Sequence, residues 1–202
     1  MTLPQNGNGA TNQRPAESRQ SRGETGVSQD TAAASGSGSD TARQMANEAK
    51  FDKVQDLLKG HSGESAVSPE ILRHVLTRVT DEGLVIELFD LEDARLFMPE
   101  SPAPTPLLRQ LAQLVVTAAQ LVENEIAIEG HTRARPVVVQ VNPVWTLSMA
   151  RADAMRNLMQ DAGIRSDRMS RVTGHADREP VLSDKMALRN NRLEVILLRS
   201  DD

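Results

Sequence analysis

The chain has no cysteine, no tyrosine and a single tryptophan. Without cysteine there is no disulfide framework, no thiolate metal site and no thiol nucleophile. The absence of thiols suits an oxidising compartment. Aromatic residues are only 2% of the 202 residues, so a core has to be assembled from Leu, Val, Ile, Ala and Met. The length predicts one domain of ordinary size. No run of about 18 apolar residues occurs, so the sequence predicts no membrane-spanning helix. Its start lacks the charged and apolar regions of a signal peptide, and it reads as soluble without an export address. An excess of positive charge is also lacking. The net charge of −5 argues against a nucleic-acid partner, which needs a basic footprint.

What charge there is divides unevenly. Residues 81–130 hold two Arg against ten acids, whereas residues 131–202 hold eleven Arg and one Lys against nine acids. The C-terminal part can therefore offer an anion-binding face within an acidic protein. Residues 1–44 are rich in Gly, Ser, Asn, Gln, Thr and Ala and contain no aromatic residue. Such a segment buries too little apolar surface to offset the entropy of ordering, and it reads as a disordered linker or tail.

Residues 45–80 read as a helical adaptor. Met45, Phe51, Val54, Leu57 and Leu58 lie along one helical stripe, with Gly60 as a stop. Ser68 and Pro69 open a second short helix, expected to run to Val79. From residue 81 the pattern is mixed. Leu84, Ile86 and Leu88 alternate as a strand, and residues 94–98 suggest a second strand or a hairpin return. Thr105 and Pro106 start a helix reaching about residue 122. A strand over 125–130 follows, then a loop over 131–145. A helix comes next, capped by Thr146 or Ser148 and stopped at Gly163 and Ile164. A strand over 167–174, a loop with a helical turn near 183–189 and a strand over 191–199 complete the chain. This order predicts an α+β sandwich, a small sheet with helices on one face.

Two segments share a pattern. GHTRARPV (130–137) and GHADREPV (174–181) repeat Gly, His, Pro and Val at the same offsets, each after a predicted strand. Two turns of similar geometry would need those residues. The functional reading puts both loops, with His131 and His175, on the rim of one site. A zinc site wants three or four ligands, and no Cys or HExxH motif completes one, so no metal site and no cofactor is expected. Ser148 is outside any nucleophile elbow, and no carboxylate pair stands out as general acid and base, so no enzyme is expected. Arg151 sits on a mostly apolar helical stripe, where a charge is costly unless paired. An internal salt bridge, a snorkelling side chain and a carboxylate-binding arginine all account for it.

Taken in order, these motifs resemble a known family. Gly130-His131-Thr132 follows a strand and Leu147-Ser148-Met149-Ala150-Arg151-Ala152 opens a helix. Arg168 to Gly174 ends a strand, and Asn190 to Glu194 enters the last one. That is the pattern of OmpA C-terminal-like peptidoglycan-binding domains, here over roughly residues 81–200. Trp145, the GHADREPV loop and the LFMPES segment are similar to the MotB branch, the flagellar motor stator subunits. The resemblance implies a βαβα(β)β sandwich over 81–202, often a dimer. It implies non-covalent anchoring of a stator to peptidoglycan in the periplasm, beside a MotA-like subunit, without catalysis. It also implies that Arg151 pairs with a carboxylate of stem-peptide diaminopimelate. The peptidoglycan-binding residues carried over are Thr132, Arg133, Leu147, Ser148, Arg151, Asn190 and Arg192. Three positions depart from the family: Arg133 stands where an Asp is usual, Val144 where an Asn is frequent, and Asn191 where an Arg is usual. A MotB-type transmembrane helix is not found in the sequence. The alternative is an interaction module that keeps the fold without binding diaminopimelate-type wall.

Overall fold

The structure is a computed structural model that describes residues 36–60, 68–136 and 143–199, with side chains from residue 45 onward. Its elements are α1 (Gly36–Leu58), α2 (Pro69–Leu72), β1 (Val75–Val79), β2 (Gly83–Phe89), α3 (Pro106–Ala119), β3 (Ile126–His131), α4 (Val144–Asp161), β4 (Met169–Ala176) and β5 (Arg192–Leu198). The strands form one mixed sheet in the order β1-β2-β5-β3-β4. Only β3 and β4 pair in parallel; the other neighbours are antiparallel. The parallel pair is the one joined through a helix, which a two-residue hairpin cannot do.

Strand alternation sorts the sheet into two faces. Leu84, Ile86 and Leu88 of β2, Ile126 and Ile128 of β3, and Leu193, Val195 and Leu197 of β5 enter the main core. There they meet Leu108, Leu111, Val115 and Ala119 of α3, Ala152, Met155 and Met159 of α4, and Phe51, Val54 and Leu58 of α1. Burying each Val, Leu, Ile, Phe or Met among them contributes about 1.5–3 kcal/mol. The opposite face carries a small apolar cluster of Val85, Ala127 and Ile196, and beside it stand ion pairs such as Arg78–Glu194 and Arg189–Glu87.

Local signals explain most elements. In α3 the Thr105 hydroxyl accepts from the Leu108 N–H at 3.3 Å, and Pro106 fills the first helical position. After α4, the Ile164 N–H donates back to the Met159 carbonyl at 3.0 Å, around Gly163 at φ 106°.

Several expectations need correction. The helix expected over 68–79 is a single turn, and residues 75–79 are an edge strand paired with β2. The adaptor segment thus contributes a strand to the sheet. The first helix begins at Gly36, inside the segment read as a tail; residues 1–35 lie outside the described residues. Residues 94–98 form no strand, only an isolated bridge from Phe97 to Pro104. The helical turn expected near 183–189 is a 3-10 turn at Leu188–Asn190. Among the described residues no side chain caps α4, whose N-terminal flank is Pro143.

Candidate functional site

The start of α4 lies across the ends of β3 and β4. A β-carbon on Gly130 would stand 2.2 Å from the Ser148 carbonyl oxygen, and one on Gly174 would stand 2.6 Å from the Met149 nitrogen. Only glycine allows that approach. The two glycines face each other in the parallel register, so the repeated Gly-His pattern marks the seat of one helix on two strands. Ser148 belongs to that seat. Its hydroxyl donates to the Trp145 carbonyl and accepts from the Ala176 N–H, both at 3.0 Å. Ser148 is neither a cap nor a cavity residue.

Beside this junction opens a cavity of about 550 Å³. Thr132, Arg133 and Arg135 form one wall, Leu147 and Arg151 of α4 a second, and Asp90, Arg95, Phe97 and Glu100 a third. Asn191 and Met186 line it as well. Residues 137–142 of the adjoining loop lie outside the described residues.

Arg151 is 8% exposed. Its Nε–H donates to the Ser101 carbonyl at 3.2 Å, and its guanidinium lies 4.9 Å from the Phe97 ring centroid. No carboxylate lies within 4.0 Å of it among the described residues, so it makes no internal salt bridge of the kind one reading supposed. Burial lowers its pKa from the usual arginine value, while Asp90 and Glu100 act to raise it. A buried guanidinium that lacks a full counter-charge has hydrogen-bonding capacity left over for an anion. The Thr132 hydroxyl is buried in the same wall and has no hydrogen-bond partner among the described residues.

Asp90 is the buried acid of the cavity, and burial pushes its carboxyl pKa up. It accepts from the Leu96 N–H at 2.8 Å and from Asn191 Nδ2 at 3.0 Å. Arg95 stands 4.0 Å away, and Arg135 pairs with Glu100. Asn191 also accepts from the Arg133 N–H at 2.9 Å. The exposed Arg133 side chain reaches toward the Met186 carbonyl at 3.5 Å. Four arginines against two acids give the cavity a positive balance.

The structure therefore splits the expected set. Thr132, Arg133, Leu147 and Arg151 share the cavity. Asn190 supports it from behind, accepting from the Val181 and Leu182 N–H groups and donating to the Asp184 carbonyl. Arg192, His131 and His175 project from the opposite face of the sheet and do not rim the cavity. The reason is alternation: His131 is two residues after Glu129 and one after Gly130, whose face is taken by α4. Sequence reasoning missed Asp90, Arg95, Phe97 and Glu100. Asp90 is the polar end of strand GLVIELFD, and Phe97 and Glu100 belong to the LFMPES segment that carries part of the family resemblance, but nothing local assigned them to a cavity.

On that opposite face Arg192 is almost fully buried. It donates to Glu194 at 2.8 Å, Arg78 pairs with Glu194 at 2.6 Å, and Arg189 pairs with Glu87. Arg171 pairs with Glu129 at 2.9 Å and also with Glu82. His131 and His175 stack with centroids 4.7 Å apart. Burial, with help from Arg192, His175 and Arg78, pushes the His131 pKa down to about 3.

Sheet order, helix placement and this cavity define a class of protein. The chain belongs to the OmpA family, which it matches over residues 88–193, and that family consists of non-enzymatic modules. Among individual proteins it is similar to Motility protein B of Escherichia coli K12, 28% identical over 105 residues, 51% of this chain and 34% of that one. Its fold is that of a MotB-like protein from Desulfovibrio vulgaris, with TM-score 0.59 at 18% identity, covering 79% of this chain and 99% of that one. It is also that of the cell wall anchor of the type VI secretion system from Pseudomonas aeruginosa, with TM-score 0.50 at 22% identity, covering 72% and 96%. The chain spans 34% to 57% of the length of the curated relatives it matches. No helix among the described residues is long and apolar enough to cross a membrane.

Proposed function

We propose that the chain is the wall-binding part of a MotB-like stator protein, anchoring it non-covalently to peptidoglycan in the periplasm. The observation that carries this reading is Arg151: buried, in a roomy cavity, and without a carboxylate partner among the described residues. A diaminopimelate stem peptide presents both a carboxylate and an ammonium group. Arg151 takes the carboxylate, and the orphaned Thr132 hydroxyl adds a hydrogen bond. The acid that the family pattern puts at position 133 is absent, so Asp90 and Glu100 are left to face the ammonium. The resemblance to Motility protein B and to a protein described as a cell wall anchor supports the reading. In it, residues 1–44 link the domain to the rest of the motor, residues 45–80 adapt that link, two copies associate, and a MotA-like subunit is the stator partner.

A pull-down on purified sacculi tests the anchor. The wild-type chain should be retained and Arg151→Ala released. Equal retention of both would remove Arg151 from the site, and retention of neither would sink the anchor. One observation favours a second reading, a module that keeps the fold without binding this wall: Arg133 adds charge of the wrong sign for an ammonium. That reading requires a flat calorimetric titration with diaminopimelate-containing muropeptide.

A further inference from the structure

The stacked histidines are the unsatisfied part of an otherwise paired face. His131 is 2% exposed, yet among the described residues neither of its ring nitrogens has a hydrogen-bond partner, and His175 Nε2 has none either. Burying a polar group without a partner destabilises the fold, and a ligand that satisfies it removes that penalty. Carboxylates surround the pair. Glu129 Oε2 lies 3.4 Å from His175 Nε2, and Glu194 Oε1 lies 3.7 Å from His131 Nε2. Glu179 lies 3.1 Å from His175 Nδ1 and 4.0 Å from His131 Nδ1. One ligating atom from each of Glu129, His131 and His175 falls within 4.8 Å of the others.

We propose that Glu129, His131 and His175 bind a divalent transition-metal ion of the zinc type, at a site on the opposite side of the sheet from the cavity. Two imidazoles and a carboxylate are a donor set that suits such an ion, with water in a fourth position. This site does not depend on wall binding. The sequence offers no Cys or HExxH motif to complete a site; the parallel pairing of β3 with β4 brings Glu129 beside His175 instead.

The surroundings are arranged as metal ligands need. A ligating histidine usually directs its second ring N–H at a carboxylate. Glu179 Oε1, 3.1 Å from His175 Nδ1, takes that role when the ring proton sits on Nδ1, and that tautomer leaves the Nε2 lone pair toward Glu129 Oε2. Arg171 holds the other oxygen, Glu129 Oε1, at 2.9 Å. The nearby cations Arg78, Arg171 and Arg192 are each paired with a glutamate, which limits their repulsion of an incoming ion. Zinc–nitrogen bonds of about 2.0–2.1 Å require ligand atoms roughly 3.3 Å apart. The site must therefore tighten, and His175 is the ring free to tilt. It is the extra residue of a β-bulge, since Gly130 pairs with Gly174 and His131 with Ala176. Its side chain is 23% exposed, so an ion can reach it.

The full chain, stripped with chelator, is titrated with zinc by calorimetry, and cobalt is added separately to read ligand-field absorption. One equivalent should bind, and tetrahedral cobalt bands should appear. His175→Ala and Glu129→Gln should each weaken binding more than about tenfold, at least the loss typical of outer-shell changes. Both positions are partly exposed, and circular dichroism checks that the variants fold. Arg151→Ala should bind zinc as the wild type does, which separates this site from the wall-binding reading. Absence of saturable one-equivalent binding would overturn the proposal. So would uptake that His175→Ala leaves unchanged, since the ion would then sit elsewhere.

Discussion

The two sides of the sheet at the end of β3 handle charge in opposite ways. On the open face each cation meets an acid: Arg78 and Arg192 meet Glu194, Arg189 meets Glu87, and Arg171 meets Glu129 and Glu82. In the cavity Arg151 and Arg133 have no carboxylate within 4.0 Å among the described residues, although both line the same wall system as Asp90. Buried charges that are paired and hydrogen-bonded belong to the fold, because removing one partner strands the other. A buried charge that the fold leaves without a partner is available to a ligand. Substitutions on the open face should therefore change stability, and substitutions in the cavity should change binding.

The largest effect should come from acid on the open face. The folded pKa of His131, about 3, is below its unfolded value near 6.5. The unfolded chain therefore takes up the proton first as pH falls. The stability held above pH 6.5 is lost progressively between 6.5 and about 3, by an amount on the order of 5 kcal/mol. Urea midpoints at pH 7 and pH 4 should fall further apart for the wild type than for His131→Gln. Asp90, whose pKa is raised, shifts stability in the opposite direction over its own range. Equal pH dependence in wild type and variant would show that His131 titrates normally. Next in size is Glu194→Ala, which takes the carboxylate partner from Arg78 and leaves Arg192 only the more distant Glu87 carboxylate, at 3.8 Å. It should cost about 3–5 kcal/mol of stability, read from denaturant unfolding, with wall retention intact under conditions where the variant is folded.

Arg151→Ala is the counterpart on the cavity side. Loss of a desolvated charge contact should weaken wall or muropeptide binding by about 2–3 kcal/mol. Stability should move by no more than about 1 kcal/mol, because no internal ion pair is broken. A large fall in unfolding midpoint would make Arg151 structural and collapse the contrast between the two faces. Gly130→Ala acts between them, since its β-carbon would meet the Ser148 carbonyl. Overpacking of this kind costs about 1–3 kcal/mol and should also shift the first turn of α4, lowering unfolding midpoint and wall retention together.

Much of this arrangement was legible in the sequence where local chemistry decides it. Thr105 with Pro106 announced α3, alternation at Leu193, Val195 and Leu197 announced β5, and the odd charge of Arg151 marked the cavity. Strand β1 was misread because Ser68 and Pro69 start only one helical turn. Val75, Thr77 and Val79 alternate, but Val75, Leu76 and Val79 also fit a helical stripe. What decides for a strand is pairing with β2, a tertiary fact. The closure of residues 90–100 into a wall is a tertiary fact too: Asp90 organises that loop through the Leu96 N–H, and a Phe97–Pro104 bridge closes it. The side taken by His131 could have been read. Ile126, Ile128 and Gly130 face the helices, so Ala127, Glu129 and His131 face away.

The smallest predicted effect tests the sharpest departure from the family pattern. Arg133 is exposed at the cavity rim, and its backbone N–H, not its guanidinium, makes its shortest hydrogen bond, to Asn191. Exposed charges of this kind are worth at most about 1 kcal/mol, so Arg133→Asp should leave stability unchanged. In muropeptide titration it should raise affinity by up to roughly fivefold, because the new carboxylate attracts the ligand ammonium where the arginine repels it. A loss of affinity would mean that Arg133 contacts a ligand carboxylate itself. The cavity would then be a two-arginine anion receptor, and the excess of positive charge in it would be part of its selectivity.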